Sequence, residues 1–140
     1  MQEFPHWATT PQSDADWFTA LRDLAVYLRG PDGCPWDQQQ SGRNFAAFLA
    51  EEGQELVEAY DAGDNENIEE EIGDCLFTLL ASIAAAEQEG RIQLSRVLQG
   101  AHEKMIRRHA HVFGLEKAAT PQEAIESWNR IKAEEKQRKK

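Results

Sequence analysis

The chain has 140 residues, 41% of them hydrophobic, and a formal net charge of −10. That length supports one real core, and the acidic balance excludes a duplex nucleic-acid binder, which needs Lys and Arg against phosphates. Two cysteines, Cys34 and Cys75, are too few for a disulfide scaffold or a zinc site, and with no leader-like start and no apolar run long enough to span a bilayer, a cytoplasmic protein without a membrane partner is expected.

Residues 1–13 are polar and proline-containing and read as a loose tail. Ser13 or Asp14 then caps a helix running to about Arg29, with Phe18, Leu21, Leu24, Ala25 and Leu28 on one stripe. The turn chemistry of GPDGCP (30–35) ends it, and Trp36, Asp37 and the polar QQQSGRN stretch lead into a second helix over 43–62. Gly63-Asp64-Asn65 supplies the next turn. The third helix, from about Glu66 to Glu89, is two-faced. Ile68, Ile72, Cys75, Leu76, Leu79 and Ile83 form one stripe, while Phe77, Thr78, Ala81 and Ala84 cover much of the opposite side. A helix apolar nearly all round is either central in a bundle or shared with a second subunit. In a domain this small, the second option means a homodimer.

A fourth helix spans about Leu94 to His109, with Leu94, Val97, Leu98, Ala101 and Met105 expected inward and Lys104 and Arg108 on that same stripe. HAHVFG breaks it. Thr120-Pro121-x-Glu123 is a capping box opening a last helix, on which Ala124, Ile125, Trp128 and Ile131 form the packing stripe and Lys132 sits beside Trp128. No strand pattern competes. The prediction is an all-α bundle of about five helices, one domain over 14–136, followed by a basic tail at 137–140.

The chemistry concentrates between Glu51 and Asp74. No Lys or Arg occurs between Arg43 and Arg91, yet Glu51, Glu52, Glu55, Glu58, Glu69, Glu70, Glu71 and Asp74 all fall there. Such uncompensated charge repels itself unless a cation sits among it. At about 100° per residue, Phe45, Phe48, Leu49, Leu56 and Ala59 make one apolar stripe of the second helix, with Glu52 in its middle and Glu55 on its edge. A carboxylate on a core face is costly unless it is paired or binds a metal. Glu71 and Asp74 form an i,i+3 pair on the next helix. Hard oxygen ligands presented in this way suit Mg²⁺ or Mn²⁺.

The segments LRGPDGCPWDQQQ, EExxE, ExxD and EKMIRRHAHVFG occur in the order found in MazG-type nucleoside triphosphate pyrophosphohydrolases, and SWNRIKAEEK resembles that family's closing helix. The resemblance covers about Leu21 to Lys136. It implies an all-α bundle with a central antiparallel helix pair, homodimeric or homotetrameric, dependent on Mg²⁺ with Mn²⁺ as a substitute. The implied reaction splits the α–β bond of a nucleoside triphosphate into a monophosphate and pyrophosphate. By motif position the implied metal ligands are Glu52, Glu55, Glu71 and Asp74. Glu51 completes EExxE and orients a ligand or water, so Glu51, Glu52 and Glu55 are the implied catalytic carboxylates. Lys104 and Arg108 are implied phosphate contacts, and Trp128 and Lys132 are implied to lie near the nucleotide. Two departures stand out: Asn67 occupies a position where the family often has a basic residue, and HAHVFG replaces the usual HPHVFG.

Trp36 reads either as a base-stacking platform or as a core plug. His109 and His111 flank a helix end and are expected to cap or pack there. A carboxylate-bridged di-iron bundle needs Glu-x-x-His on two helices, which this sequence does not provide. The remaining rivals are a pyrophosphatase dedicated to dUTP or other modified nucleotides, and a nucleotide-binding regulatory module without turnover.

Overall fold

A computed structural model describes residues 8–139. Seven helices follow one another: α1 (Asp14–Leu28), α2 (Pro35–Gln39), α3 (Gly42–Ala62), α4 (Asn65–Gln88), α5 (Leu94–Arg108), α6 (Ala110–Phe113) and α7 (Pro121–Arg138), with no strand among the described residues. The five long helices match the predicted ones to within a residue or two at most ends. The two short ones, α2 and α6, fall where loops were expected. Pro35 at the first helical position of α2 supplies a φ already suited to a helix and lacks an N–H that would go unsatisfied there.

Most helix starts are written in side chains. Ser13 Oγ accepts from the Asp16 N–H, Ser41 Oγ from Asn44, Asp64 from Glu66 and Asn67, and Thr120 Oγ1 from Glu123. Glu123 reaches back to the Ala119 N–H at 2.7 Å, one residue before the position a strict capping box uses. Gly33 is held by close approach, since a Cβ there would lie 2.2 Å from the Leu28 carbonyl oxygen.

The described chain divides into two compact units, one ending at Ile92 and the other beginning at Gln93. The first is built on α3 and α4, an antiparallel pair joined by Gly63 and Asp64. Gly63 has φ +70°, the left-handed conformation that glycine adopts without cost. At the far end of the pair, Ser82 donates to the Gly42 carbonyl at 2.8 Å and Glu89 accepts from the Gly42 N–H at 3.0 Å. These two bonds pin the register along the pair. Small residues let the helices approach: Phe45 packs with Ala81 and Ala85, and α1 adds Ala25 against Leu80 and Ala84. Arg29 ties the α1–α2 turn down by donating to Gln88 and to the Asp37 carbonyl.

The two faces of α4 have different fates. The alanine side is buried, whereas Ile72, Leu76 and Leu79 remain 44%, 37% and 43% exposed. In the second unit, α7 contributes Ile131 as its buried residue. The inward stripe expected on α5 is corrected here: no residue of α5 is buried, and Val97, Leu98 and Met105 are exposed. A unit of one long helix pair plus α6 has too few layers to cover that face. The loose tail expected at 1–13 falls partly on residues 1–7, which lie outside the described residues, as does Lys140. Pro11 is buried, and α7 carries helix into the expected basic tail as far as Arg138.

Candidate functional site

Helical spacing puts Glu52 and Glu55 on one face of α3, and the short Gly63-Asp64 turn brings α4 back alongside them. As a result Glu52, Glu55 and Glu71 each offer a carboxylate oxygen, and these oxygens all lie within 4.8 Å of one another. Glu52 and Glu71 are half-buried and Glu55 is exposed. One oxygen of Glu52 and one of Glu71, both Oε2, are shielded from solvent with no hydrogen-bond partner. A buried carboxylate oxygen without a donor is a group awaiting one.

The electrostatics agree. Glu52 is pushed above the usual carboxylate range by burial first, then by Glu55, with Asp74 and Glu71 adding repulsion. Glu71 is pushed up by burial, then by the charges of Glu55, Asp74 and Glu70. Cys75 is raised by burial and by the same carboxylates. No cation of the chain pairs with Glu52, Glu55 or Glu71 among the described residues. Clustered, part-buried, unpaired carboxylates are what a divalent cation takes as ligands. The donor set therefore fits a hard metal ion.

Asp74 is exposed and acts on Glu52 and Glu71 through its field, without joining the three-glutamate cluster. Glu51 is exposed on α3 beside Glu52. Trp36 stacks on Phe48 with ring centroids 5.7 Å apart and meets Phe45 edge-on, yet stays 52% exposed. It is anchored like a core plug on one side and open like a platform on the other.

In the second unit, Arg108 and Trp128 come together, the guanidinium carbon lying 5.3 Å from the ring centroid. His109 meets the same indole edge-on, and its Nδ1 lies 2.6 Å from the Met105 carbonyl, so it closes the end of α5 as expected. Lys104 is exposed and lines a groove with Arg107, Arg108, Glu135, Arg138 and Lys139. Lys132 is exposed on α7. Sequence reasoning missed Glu135, which bonds both Arg107 and Arg108. In the sequence it is one more acid in a charged helix, 27 residues from its partner, and no local spacing could single it out.

An α-helical pair that gathers glutamates from both members defines an all-α protein with a carboxylate cluster able to hold a metal ion. A sequence model of the MazG nucleotide pyrophosphohydrolase domain matches residues 40–113, more than half of the 140. The chain belongs to that family. It is 37% identical over 123 residues to the nucleoside triphosphate pyrophosphohydrolase/pyrophosphatase MazG of Thermotoga maritima, covering 88% of this chain and 47% of that one. Against the nucleoside triphosphate pyrophosphohydrolase of Escherichia coli the identity is 34% over 120 residues, covering 85% and 46%. YabN of Bacillus subtilis, an uncharacterized protein, is 39% identical over 119 residues, or 85% of this chain and 24% of its own length. The chain thus spans from about a quarter to about a half of the length of these relatives. A crystal structure of a mazG-related protein from Thermotoga maritima superposes with a TM-score of 0.69 at 29% identity, covering 84% of this chain and 98% of that one. No helix among the described residues is long and apolar enough to cross a membrane.

Proposed function

We propose that this chain hydrolyses nucleoside triphosphates between the α- and β-phosphates, giving a nucleoside monophosphate and pyrophosphate. One observation carries the reading: in a MazG-family helix pair, three glutamate oxygens converge within 4.8 Å, and no cation among the described residues pairs with them. Glu52, Glu55 and Glu71 would hold Mg²⁺, or Mn²⁺ in its place, with Asp74 completing the set by motif position. A bound divalent ion would neutralise phosphate charge and lower the pKa of a water.

The chain's own residues do the rest. The water oxygen bonds to the α-phosphorus, the bond from that phosphorus to the α–β bridging oxygen breaks so that pyrophosphate leaves with this oxygen, and a carboxylate of the Glu51, Glu52, Glu55 group takes the water's proton. By motif position, Lys104 and Arg108 would bind phosphate oxygens and stabilise the departing pyrophosphate. Trp128 and Lys132 are by the same matching the expected nucleotide contacts, and the open side of Trp36 is available to stack on a base. We further propose that a second copy of the chain covers Ile72, Leu76 and Leu79, since three large apolar side chains in successive turns of one helix favour burial.

The test is to measure pyrophosphate and orthophosphate from a panel of standard and modified nucleoside triphosphates, with Mg²⁺ and with EDTA. Metal-dependent pyrophosphate together with monophosphate is expected, and the panel ranks the bases, including dUTP. Nucleotide binding without release of either product would replace this reading with a regulatory module.

A further inference from the structure

The second unit contains a groove of about 300 Å³ lined by Lys104, Arg107, Arg108, Glu135, Arg138 and Lys139. Its single carboxylate is fully engaged. Glu135 Oε1 accepts from Arg107 Nε at 2.6 Å, and its Oε2 accepts from Arg108 Nη2 at 2.7 Å and Nε at 3.2 Å. The Arg108 guanidinium also lies over the Trp128 ring. One edge of the fork is therefore fixed by a carboxylate and one face by an indole. The Arg108 side chain is 12% exposed, against 46% for Arg107.

A guanidinium carries its donors in a rigid planar fork with two edges that can grip an oxyanion in bidentate fashion. The Arg108 bonds to Glu135 use Nε and Nη2, which leaves the Nη1/Nη2 edge. We propose that Glu135 is a positioning residue for phosphate recognition: it holds Arg108 by one edge so that the other is presented, already oriented, to a phosphate group in this groove. The proposal rests on the reading of Arg108 as a phosphate ligand. A free arginine loses rotamer freedom when it binds, and one held in place beforehand loses less. The carboxylate does not cancel the groove's attraction for anions, because five cations surround it. A phosphate therefore still meets a strongly positive site.

The alternative is that Glu135 only clasps α7 to α5. The two roles separate in anion affinity, which a clasp would leave unchanged in a folded protein. The full chain in EDTA is titrated with pyrophosphate by calorimetry, comparing wild type, Glu135→Gln, Glu135→Asp and Arg108→Gln, each checked for helicity and melting temperature. Wild type is expected to bind, and Glu135→Gln to weaken binding about tenfold. Glu135→Asp, which keeps the charge but withdraws the carboxylate by one methylene, should weaken it too, and it carries the test should the Gln variant fail to fold. In Mg²⁺ the KM of Glu135→Gln for a nucleoside triphosphate should rise by a similar factor, with kcat changed less.

Unchanged pyrophosphate affinity in both Glu135 variants, with only a lower melting temperature, would reduce Glu135 to a clasp. Tighter binding would make it a competitor of the phosphate, and no binding by wild type would remove the groove as a phosphate site. Any of these overturns the proposal. If Arg108→Gln leaves affinity intact, the phosphate role of Arg108 itself falls. If Arg108→Gln weakens binding and the Glu135 variants do not, only the positioning role falls.

Discussion

Two groups of glutamates in this chain face opposite ways electrostatically. In the first unit, Glu52 and Glu71 are crowded by other carboxylates and by burial, and both are pushed above the ordinary carboxylate range. In the second, Glu135 sits between Arg108 and Arg107, whose hydrogen bonds pull it from 4.5 down to about 2. The same side chain is thus left wanting a cation in one place and supplied with two in the other. The chain has abundant arginine and lysine, so the lack of a cationic partner for Glu52 and Glu71 among the described residues reflects their location. Unrelieved carboxylate repulsion within a fold is compatible with a cation site, and a carboxylate paired with arginines with a structural contact.

The sharpest way to break this comparison is to remove a member of the crowded set. Glu52→Ala or Asp74→Ala should lower pyrophosphate release about a thousandfold, the scale of losing several kcal/mol of metal-borne stabilisation. Circular dichroism should show the helices intact. Full activity in either variant would sink the metal-centre assignment.

The next effect concerns the bare face of α4 beside that set. Leu76→Glu should weaken self-association by at least about a hundredfold, because in a symmetric pair each substitution counts twice. Sedimentation at several concentrations would show it as a fall to monomer mass. Unchanged mass would mean that the Ile72, Leu76 and Leu79 face is not the interface.

Metal binding should then convert the crowded group into a satisfied one. At about a hundred times its dissociation constant, Mg²⁺ or Mn²⁺ would add about 2.7 kcal/mol to stability, read as a rise in melting temperature. Glu71→Gln should lose most of that rise. It should also melt higher than wild type without metal, since one repelling charge is gone. A lower metal-free melting temperature for Glu71→Gln would contradict the reading of Glu71 as an unrelieved charge.

The smallest effect is in pH. Glu135 has a depressed pKa, so its contribution is fully present above 4.5 and is lost as pH falls from there towards about 2. Glu52 and Glu71 have raised values, so in metal-free protein stability should fall as pH rises from 4.5 through their folded-state pKa values. Urea unfolding across pH should give opposite slopes on the two sides. Glu135→Gln should flatten the acid side alone.

Much of the first unit could be read directly from the chain. Glu52 stands out in the sequence because it falls on an apolar stripe, and it lies half-buried in the three-glutamate cluster. Ser13 and Thr120 as caps and the turn at Gly63-Asp64 are equally readable, since each acts on backbone within a few residues of itself, whereas the cap that Asp64 supplies to α4 emerges from the structure. The second unit was less so. The stripe of α5 has the right period for burial and yet stays exposed, because periodicity gives a helix a face and does not supply anything to cover it.

By itself, then, the sequence determined the helices, their caps and the two faces that carry acid, because those depend on interactions three or four residues apart. The tertiary structure alone decided which of the acids meet. It drew Glu55 and Glu71 together across the α3–α4 pair, left Asp74 at the edge, and joined Glu135 to Arg107 and Arg108. Charge acts through space, and the distances that set its sign and strength exist only once the helices have packed.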